Sequence, residues 1–240
     1  MSRVMGRTLY PRVHRAIEGA GIVLWVMLTS VAVLRIGSAA DDAAHLLPIV
    51  AGIALGLIGA DFVAGLVHWL CDTWGRSDWP IVGPSVIHSF REHHQDPQAI
   101  VRHGFVETNG ASSIGSVPVL TAAGALAGEG ALALLVDSTL TSLSAWLVVT
   151  NQLHKWAHTP TPPRLVTWLQ SRGWILPPEQ HAIHHRQPFD RHYCITTGWL
   201  NPLCERLDLF RRLERGITRM TGALPRRQDA PPRHLEAGAQ

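Results

Sequence analysis

Fourteen histidines stand in 240 residues, and most of them fall in four short strings. His68 opens His68-Trp-Leu-Cys-Asp72. His93 and His94 lie in Phe90-Arg-Glu-His-His-Gln-Asp-Pro97, with His88 before them and His103 after. His154 and His158 belong to Asn151-Gln-Leu-His-Lys-Trp-Ala-His158, and His181, His184 and His185 form His181-Ala-Ile-His-His185, with His192 further on. Residues three or four apart on a helix share a face, so His154 with His158, and His181 with His184 and His185, can each grip one ion. Asp61, His68 and Asp72 also fall on one helical face. Asp72 is placed to accept the free ring N–H of a ligating histidine, the usual outer partner. Imidazole suits iron, zinc, copper and nickel. A zinc site takes about four ligands, so eight clustered rings suit two ions with about four each. His14, His45 and His234 lie outside the clusters and read as caps or interface residues.

Several other chemistries are excluded. There is no His-Glu-x-x-His motif of the zinc proteases. None of the eight glutamates is followed three residues later by histidine, which removes the Glu-rich di-iron bundle of soluble proteins. Cys71, Cys194 and Cys204 are odd in number and contain no Cys-x-x-Cys pair, so neither a disulfide framework nor a thiolate zinc site is expected.

The elements that carry these residues are apolar. Charged residues are 16% of the chain, hydrophobic ones 46%, and mean hydropathy is +0.10. The apolar residues come in blocks. Gly19–Leu34, Leu46–Leu70, Ser112–Ala127 and Ala131–Thr150 predict four membrane spans, the last two joined by a turn at Gly128-Glu129-Gly130. The competing reading of the first block is a signal peptide, with Arg3, Arg7, Arg12 and Arg15 before it and Ser38-Ala39-Ala40 as a cleavage site. Arginine in the loops sets the orientation: four precede the first span, Arg76, Arg91 and Arg102 follow the second, and twelve plus Lys155 follow the fourth. The positive-inside rule then puts both termini and the histidine strings on the cytoplasmic side. A net charge of +3 is too mild and dispersed for a nucleic-acid groove. Arg164–Ile175, with Trp168 and Trp174, reads as an interfacial helix or, equally well, a surface helix. Residues 205–221 form a basic segment (Arg206, Arg211, Arg212, Arg215, Arg219) that could rest on anionic lipid. The expected fold is an all-α integral membrane protein of about four transmembrane helices under a cytoplasmic, histidine-rich helical cap. Its domain covers 1–221, with a disordered tail over 222–240.

Paired ions held mainly by neutral imidazole at a membrane face form the histidine-box arrangement of membrane desaturases and hydroxylases. The strings carry a narrower likeness. Phe90-Arg-Glu-His-His-Gln-Asp-Pro97, Glu107-Thr-Asn109, Asn151-Gln-Leu-His-Lys-Trp-Ala-His-Thr159, and His184-His185 followed by Tyr193-Cys-Ile-Thr-Thr-Gly-Trp-Leu-Asn201 closely resemble the Kua/CarF-type lipid desaturase family, over about residues 50–210. The second and last of the longer strings look more like its plasmanylethanolamine desaturase branch than its plant branch.

That resemblance implies two iron ions, O2 as co-substrate, and a 1-alkyl ether phospholipid converted to the vinyl ether (plasmalogen). Electrons would come from a donor such as a cytochrome b5 or a ferredoxin. Carried over by motif, the metal ligands are His68, His93, His94, His154, His158, His181, His184 and His185. His103 is a further candidate, and Asp72, Asn109, His103 and His192 are expected around the ligands. The expected location is a bacterial cytoplasmic (inner) membrane. A fatty-acyl phospholipid desaturase or hydroxylase of the same type is the alternative. A bis-histidine haem carrier would need two facing rings within the bundle. A metal transporter would need ionisable residues along a path, and only Asp61 and Asp137 qualify.

Overall fold

The computed structural model describes residues 12–226. Arg3, Arg7, His234 and the expected tail beyond residue 226 lie outside the described residues. Those described form helices and loops, with no strand among them. Four long helices make the body: α1 (Arg12–Ala39), α2 (Leu46–Thr73), α5 (Phe105–Ala125) and α6 (Ala131–His158). Short helices follow α2 and α6: α3 (His88–Gln95), α4 (Ala99–Arg102), α7 (Arg164–Ser171), α8 (Pro178–His184), α9 (Asn201–Arg206) and α10 (Leu209–Thr221).

Three helical segments are long and apolar enough to cross a membrane: Arg12–Ala39, Ala43–Thr73 and Ala131–His158. The expected third of four spans, Ser112–Ala127, belongs to α5, which is not among them. Its apolar residues are diluted by a small, polar face, buried as Thr108, Asn109, Gly110, Ser113 and Ser116. The last expected span runs two turns beyond Thr150, and those turns carry His154 and His158.

Small residues fix how the long helices meet. A Cβ at Gly52 would lie 2.7 Å from Leu135 O, and one at Gly56 would lie 2.5 Å from Ser142 Cβ. This Gly-x-x-x-Gly stripe therefore lets the α2 and α6 backbones approach closely, as small residues do between membrane helices. Successive contacts climb both helices together, so α2 and α6 run parallel and end on the same side. Toward α1, α6 is antiparallel: Trp25 Nε1 donates to Ser144 Oγ at 3.0 Å, and Arg35 clamps Asp137 through both its oxygens at 2.8 and 2.6 Å. The segment that could have read as a signal peptide is thus tied into the bundle. Asp137, expected as a possible path residue, is an ion-pair partner.

Asp61 is also a fastener. It is buried on α2, and its Oδ1 accepts from the backbone N–H groups of Thr196, Thr197 and Gly198 at 3.1, 2.8 and 3.0 Å. Its Oδ2 accepts from Leu200 N–H at 3.1 Å. The loop can close this far because Gly65 has no side chain; a Cβ there would lie 2.7 Å from Cys194 Sγ. Trp69, Tyr193, Cys194, Cys204 and Phe210 then form a buried cluster that Leu213 and Ile217 of α10 complete. The basic segment therefore turns its apolar face to the core, while Arg211, Arg212, Arg215 and Arg219 stay on its outer side. The amphipathic segment is helical only to Ser171. Trp168 and Trp174 pack edge to face 5.2 Å apart, and both are largely exposed.

Candidate metal centre

Four elements deliver histidines to the end of the bundle where α2 and α6 finish. The last turns of α2 present His68 and Asp72, and those of α6 present His154 and His158. The short helix α3 supplies His93 and His94; α8 supplies His181 and His184, with His185 at its C-terminus. All eight expected ligand histidines converge there, in two groups. The first is His93, His154, His158, His181 and His185; the second is His68, Asp72, His94 and His184. Within each, one N or O atom per residue lies within 4.8 Å of every other. His184 departs from expectation by joining the second group rather than sharing an ion with His181.

Hydrogen atoms alone do not account for these contacts. His181 Nε2 lies 2.9 Å from His154 Nε2, 2.8 Å from His158 Nε2 and 3.0 Å from His185 Nε2. A ring nitrogen carries one hydrogen or one lone pair, so only one of the three can be a full hydrogen bond. In the second group the tautomers are set from outside. His68 Nδ1 faces Tyr193 O at 3.2 Å and His184 Nδ1 faces Arg191 O at 2.8 Å, so both are N–H donors. Their Nε2 atoms are left as lone pairs, and these lie 3.3 and 3.4 Å from Asp72 Oδ2. His93 is set likewise, by Ser89 O at 3.3 Å, and its buried Nε2 has no hydrogen-bond partner. Neither Asp72 oxygen has one either. Lone pairs converging on lone pairs in a buried space is an arrangement that a cation resolves, and imidazole with one carboxylate suits iron among other divalent ions. The residues present fit a metal.

Burial keeps the rings in the ligating form. It holds His93 and His181 well below the ordinary value of 6.5, helped by the neighbouring histidines. Burial also lowers His184 to about 4, against the opposing pull of the Arg191 carbonyl, and His185 to about 2. Metal binding requires such neutral imidazoles.

The surrounding residues are less as expected. Asp72 lies inside the second group, its Oδ2 facing the Nε2 lone pairs of His68 and His184, with His94 Nε2 3.7 Å away. Asn109 donates to Phe105 O within its own helix, at 2.9 Å. The backbone N–H of His192 donates to Glu205 at 3.2 Å, and its ring belongs to neither group. His103 also stands outside both, between Glu92 and Glu107. The carbonyls of Ser89, Arg191 and Tyr193, which orient the rings, carried no signal in the sequence because any residue offers one. Asp61 did carry a signal, as a carboxylate within a span.

A cavity of about 70 Å³ opens on the first group, lined by His93 and His154 together with Phe90, His103, Glu107 and Thr108. No solved structure matches the chain. The bacterial plasmanylethanolamine desaturase of Myxococcus xanthus is 43% identical over 92% of this chain and 78% of its own length. Plasmanylethanolamine desaturase 1 of Mus musculus is 44% identical over 75% of this chain and 69% of its own. A chloroplastic fatty acid desaturase 4 of Arabidopsis thaliana is 32% identical over 77% of this chain and 56% of its own. The lipid desaturase domain matches residues 57–228, a stretch that holds both groups of converging donors, and the chain belongs to that family.

Proposed function

We propose that the chain is a membrane-bound, O2-dependent desaturase that converts the 1-alkyl chain of plasmanylethanolamine to the vinyl ether. The observation that carries this reading is the convergence of eight imidazoles and one carboxylate in two groups, on a chain 43–44% identical to plasmanylethanolamine desaturases. Two iron ions would be held by those nine residues, with Asp72 as a direct ligand. In balance, an O–CH2–CH2 unit, O2, two electrons and two protons give O–CH=CH and two waters. The electrons come from an external donor such as a cytochrome b5 or a ferredoxin. Iron supplies the O2 activation that an unactivated C–H bond requires.

The chain's own residues do the rest. Carbonyls of Ser89, Arg191 and Tyr193 hold three rings with Nε2 forward. Asp61 fixes the loop that carries the Tyr193 carbonyl. The cavity beside His93 and His154 admits the reacting end of the lipid and little water. Arginine distribution supports a cytoplasmic site in a bacterial inner membrane. α5 would be the fourth span: at about 1.5 Å per residue it is long enough, and its polar face is covered by α1 and α6. The α7 tryptophans suit the headgroup region. The catalytic domain is taken as 1–221.

The test is expression in cells that contain alkyl ether lipid but form no plasmalogen. Acid-labile vinyl ethers should appear only with O2, and the purified protein should carry about two irons per chain, in line with two donor groups. Appearance of a new acyl double bond instead, with no vinyl ether formed, would move the substrate to the fatty-acyl alternative. A competent protein free of iron would end the reading.

A further inference from the structure

We propose that the ether end of the lipid enters the cavity beside His93 and His154, and that Glu107 in its lining, with Glu92 on the far side of His103, takes the ethanolamine ammonium; this rests on the function proposed above. The product sets the scale. The bond desaturated is the first carbon–carbon bond beyond the ether oxygen. From that carbon to the headgroup nitrogen is ten bonds, about 12 Å at full extension. An enzyme that desaturates far down a tail can leave the headgroup remote from its metal. For this product, whatever recognises the headgroup must lie within that reach of the rings.

The cavity meets the requirement. At about 70 Å³ it is far smaller than a phospholipid and can take only a short stretch of one, here the reacting O–CH2–CH2 unit. The headgroup then stays at the mouth, beside Glu107 and His103. The His103 ring stands between two carboxylates, its Nε2 3.8 Å from Glu92 Oε2 and 3.9 Å from Glu107 Oε1. Both distances exceed a hydrogen bond. Among the described residues neither carboxylate is ion-paired with an arginine or lysine. Lys155 donates to the His103 carbonyl. Thr108 lines the same cavity, is more than nine-tenths buried, and its hydroxyl has no hydrogen-bond partner. A carboxylate in the cavity lining whose ion-pair partner among the described residues is the His103 ring alone, a second carboxylate beyond that ring, and an orphaned hydroxyl thus stand where the lipid brings a primary ammonium with three N–H donors. A choline nitrogen has the charge but no N–H, and would leave these acceptors unmet.

The as-isolated full-length protein, without reductant so that no turnover occurs, is titrated in detergent micelles. The probes are a 1-alkyl-2-acyl-glycerophosphoethanolamine and its choline counterpart, followed by tryptophan fluorescence. The ethanolamine lipid is expected to bind about tenfold more tightly, the discrimination of one charge-assisted hydrogen bond. Glu107→Gln should bring that ratio close to one while leaving choline-lipid affinity in place, and Glu92→Gln should reduce it partway. Glu129→Gln, at the opposite end of the bundle, should leave it unchanged. Equal affinities in the wild type, or a ratio that survives in the Glu92→Gln/Glu107→Gln double variant, overturns the headgroup site. A different pattern marks failure of the proposed function: a ratio that responds to these variants, in a metal-loaded protein that forms no vinyl ether. That outcome supports the headgroup site and removes the reaction.

Discussion

Replacing Asp61 by asparagine should disable the metal centre from a distance. The Asp61 carboxylate is 1% exposed and accepts four backbone hydrogen bonds, three on Oδ1 and one on Oδ2. Asparagine placed with its oxygen toward Thr196, Thr197 and Gly198 keeps three of these, but as neutral bonds. Charge assistance is worth about 1 kcal/mol per bond, so roughly 3 kcal/mol is lost. Its amide group then meets Leu200 N–H donor to donor, leaving a buried group unsatisfied at about 1–3 kcal/mol more. The sum, about 4–6 kcal/mol, is comparable with the net stability of a whole domain. The loop should therefore loosen locally before the protein unfolds. Tyr193 lies just ahead of that loop, and its carbonyl fixes His68 Nδ1 at 3.2 Å. The expected result for Asp61→Asn is fast hydrogen exchange at Thr196, Thr197 and Gly198 and reduced metal in the second group. The first group should keep most of its metal. Wild-type exchange protection and full metal content in this variant would refute the reasoning, because the carboxylate would then be irrelevant to ring orientation.

His154→Ala should abolish vinyl ether formation and lower bound metal, while the protein still inserts, whereas His14→Ala should change neither; metal analysis beside lipid analysis checks both. Gly56→Leu should force α2 away from α6, because even its Cβ would lie 2.5 Å from Ser142 Cβ, and a loss of about 1–3 kcal/mol or more is expected in thermal unfolding. The metal-free protein should lose stability in acid. Its buried rings bind protons only well below 6.5, with His184 near 4 and His185 near 2, while the unfolded chain binds them from 6.5 downward. The unfolded state therefore holds more protons between those values. Stability should fall as pH drops from 6.5 toward 4, by up to about 1.4 kcal/mol per pH unit per ring. A melting temperature that stays flat between pH 7 and pH 5 would contradict this.

What could be read in the sequence followed from side-chain type. Imidazoles announce themselves, and all eight chosen as ligands converge. A carboxylate at position 61 was visibly costly within an apolar run, but its partners are backbone amides some 135 residues away, which no side-chain pattern encodes. The same blindness hid Ser89, Arg191 and Tyr193, whose contribution is a carbonyl. Apolar length placed α1, α2 and α6 well but undershot α6, because the turns that carry His154 and His158 are polar. It also missed the start of α5 at Phe105, since Thr108 and Asn109 look like loop residues until α1 and α6 bury them. Spacing puts Asp72 near the histidines but says nothing of its side of the rings, because the tautomers of His68 and His184 are set by the Tyr193 and Arg191 carbonyls.

The division into two groups follows from helical geometry more closely than ligand type alone suggests. Successive residues on a helix point about 100° apart, while residues four apart share a face. Each i, i+4 pair here falls within one group: His68 with Asp72 in the second, His154 with His158 and His181 with His185 in the first. Each adjacent doublet is split, His93 from His94 and His184 from His185. A single ion could not use both members of such a doublet without unwinding its helix. The short helices α3 and α8 each serve both groups, whereas α2 and α6 each serve one. The long helices are locked against each other by their Gly52–Gly56 contact, and α3 and α8 supply donors to both groups. The Ser89 carbonyl orients His93 within α3, and the Arg191 carbonyl orients His184 of α8; a disturbance of either short helix reaches both groups together, and one confined to the end of α2 or α6 reaches a single group.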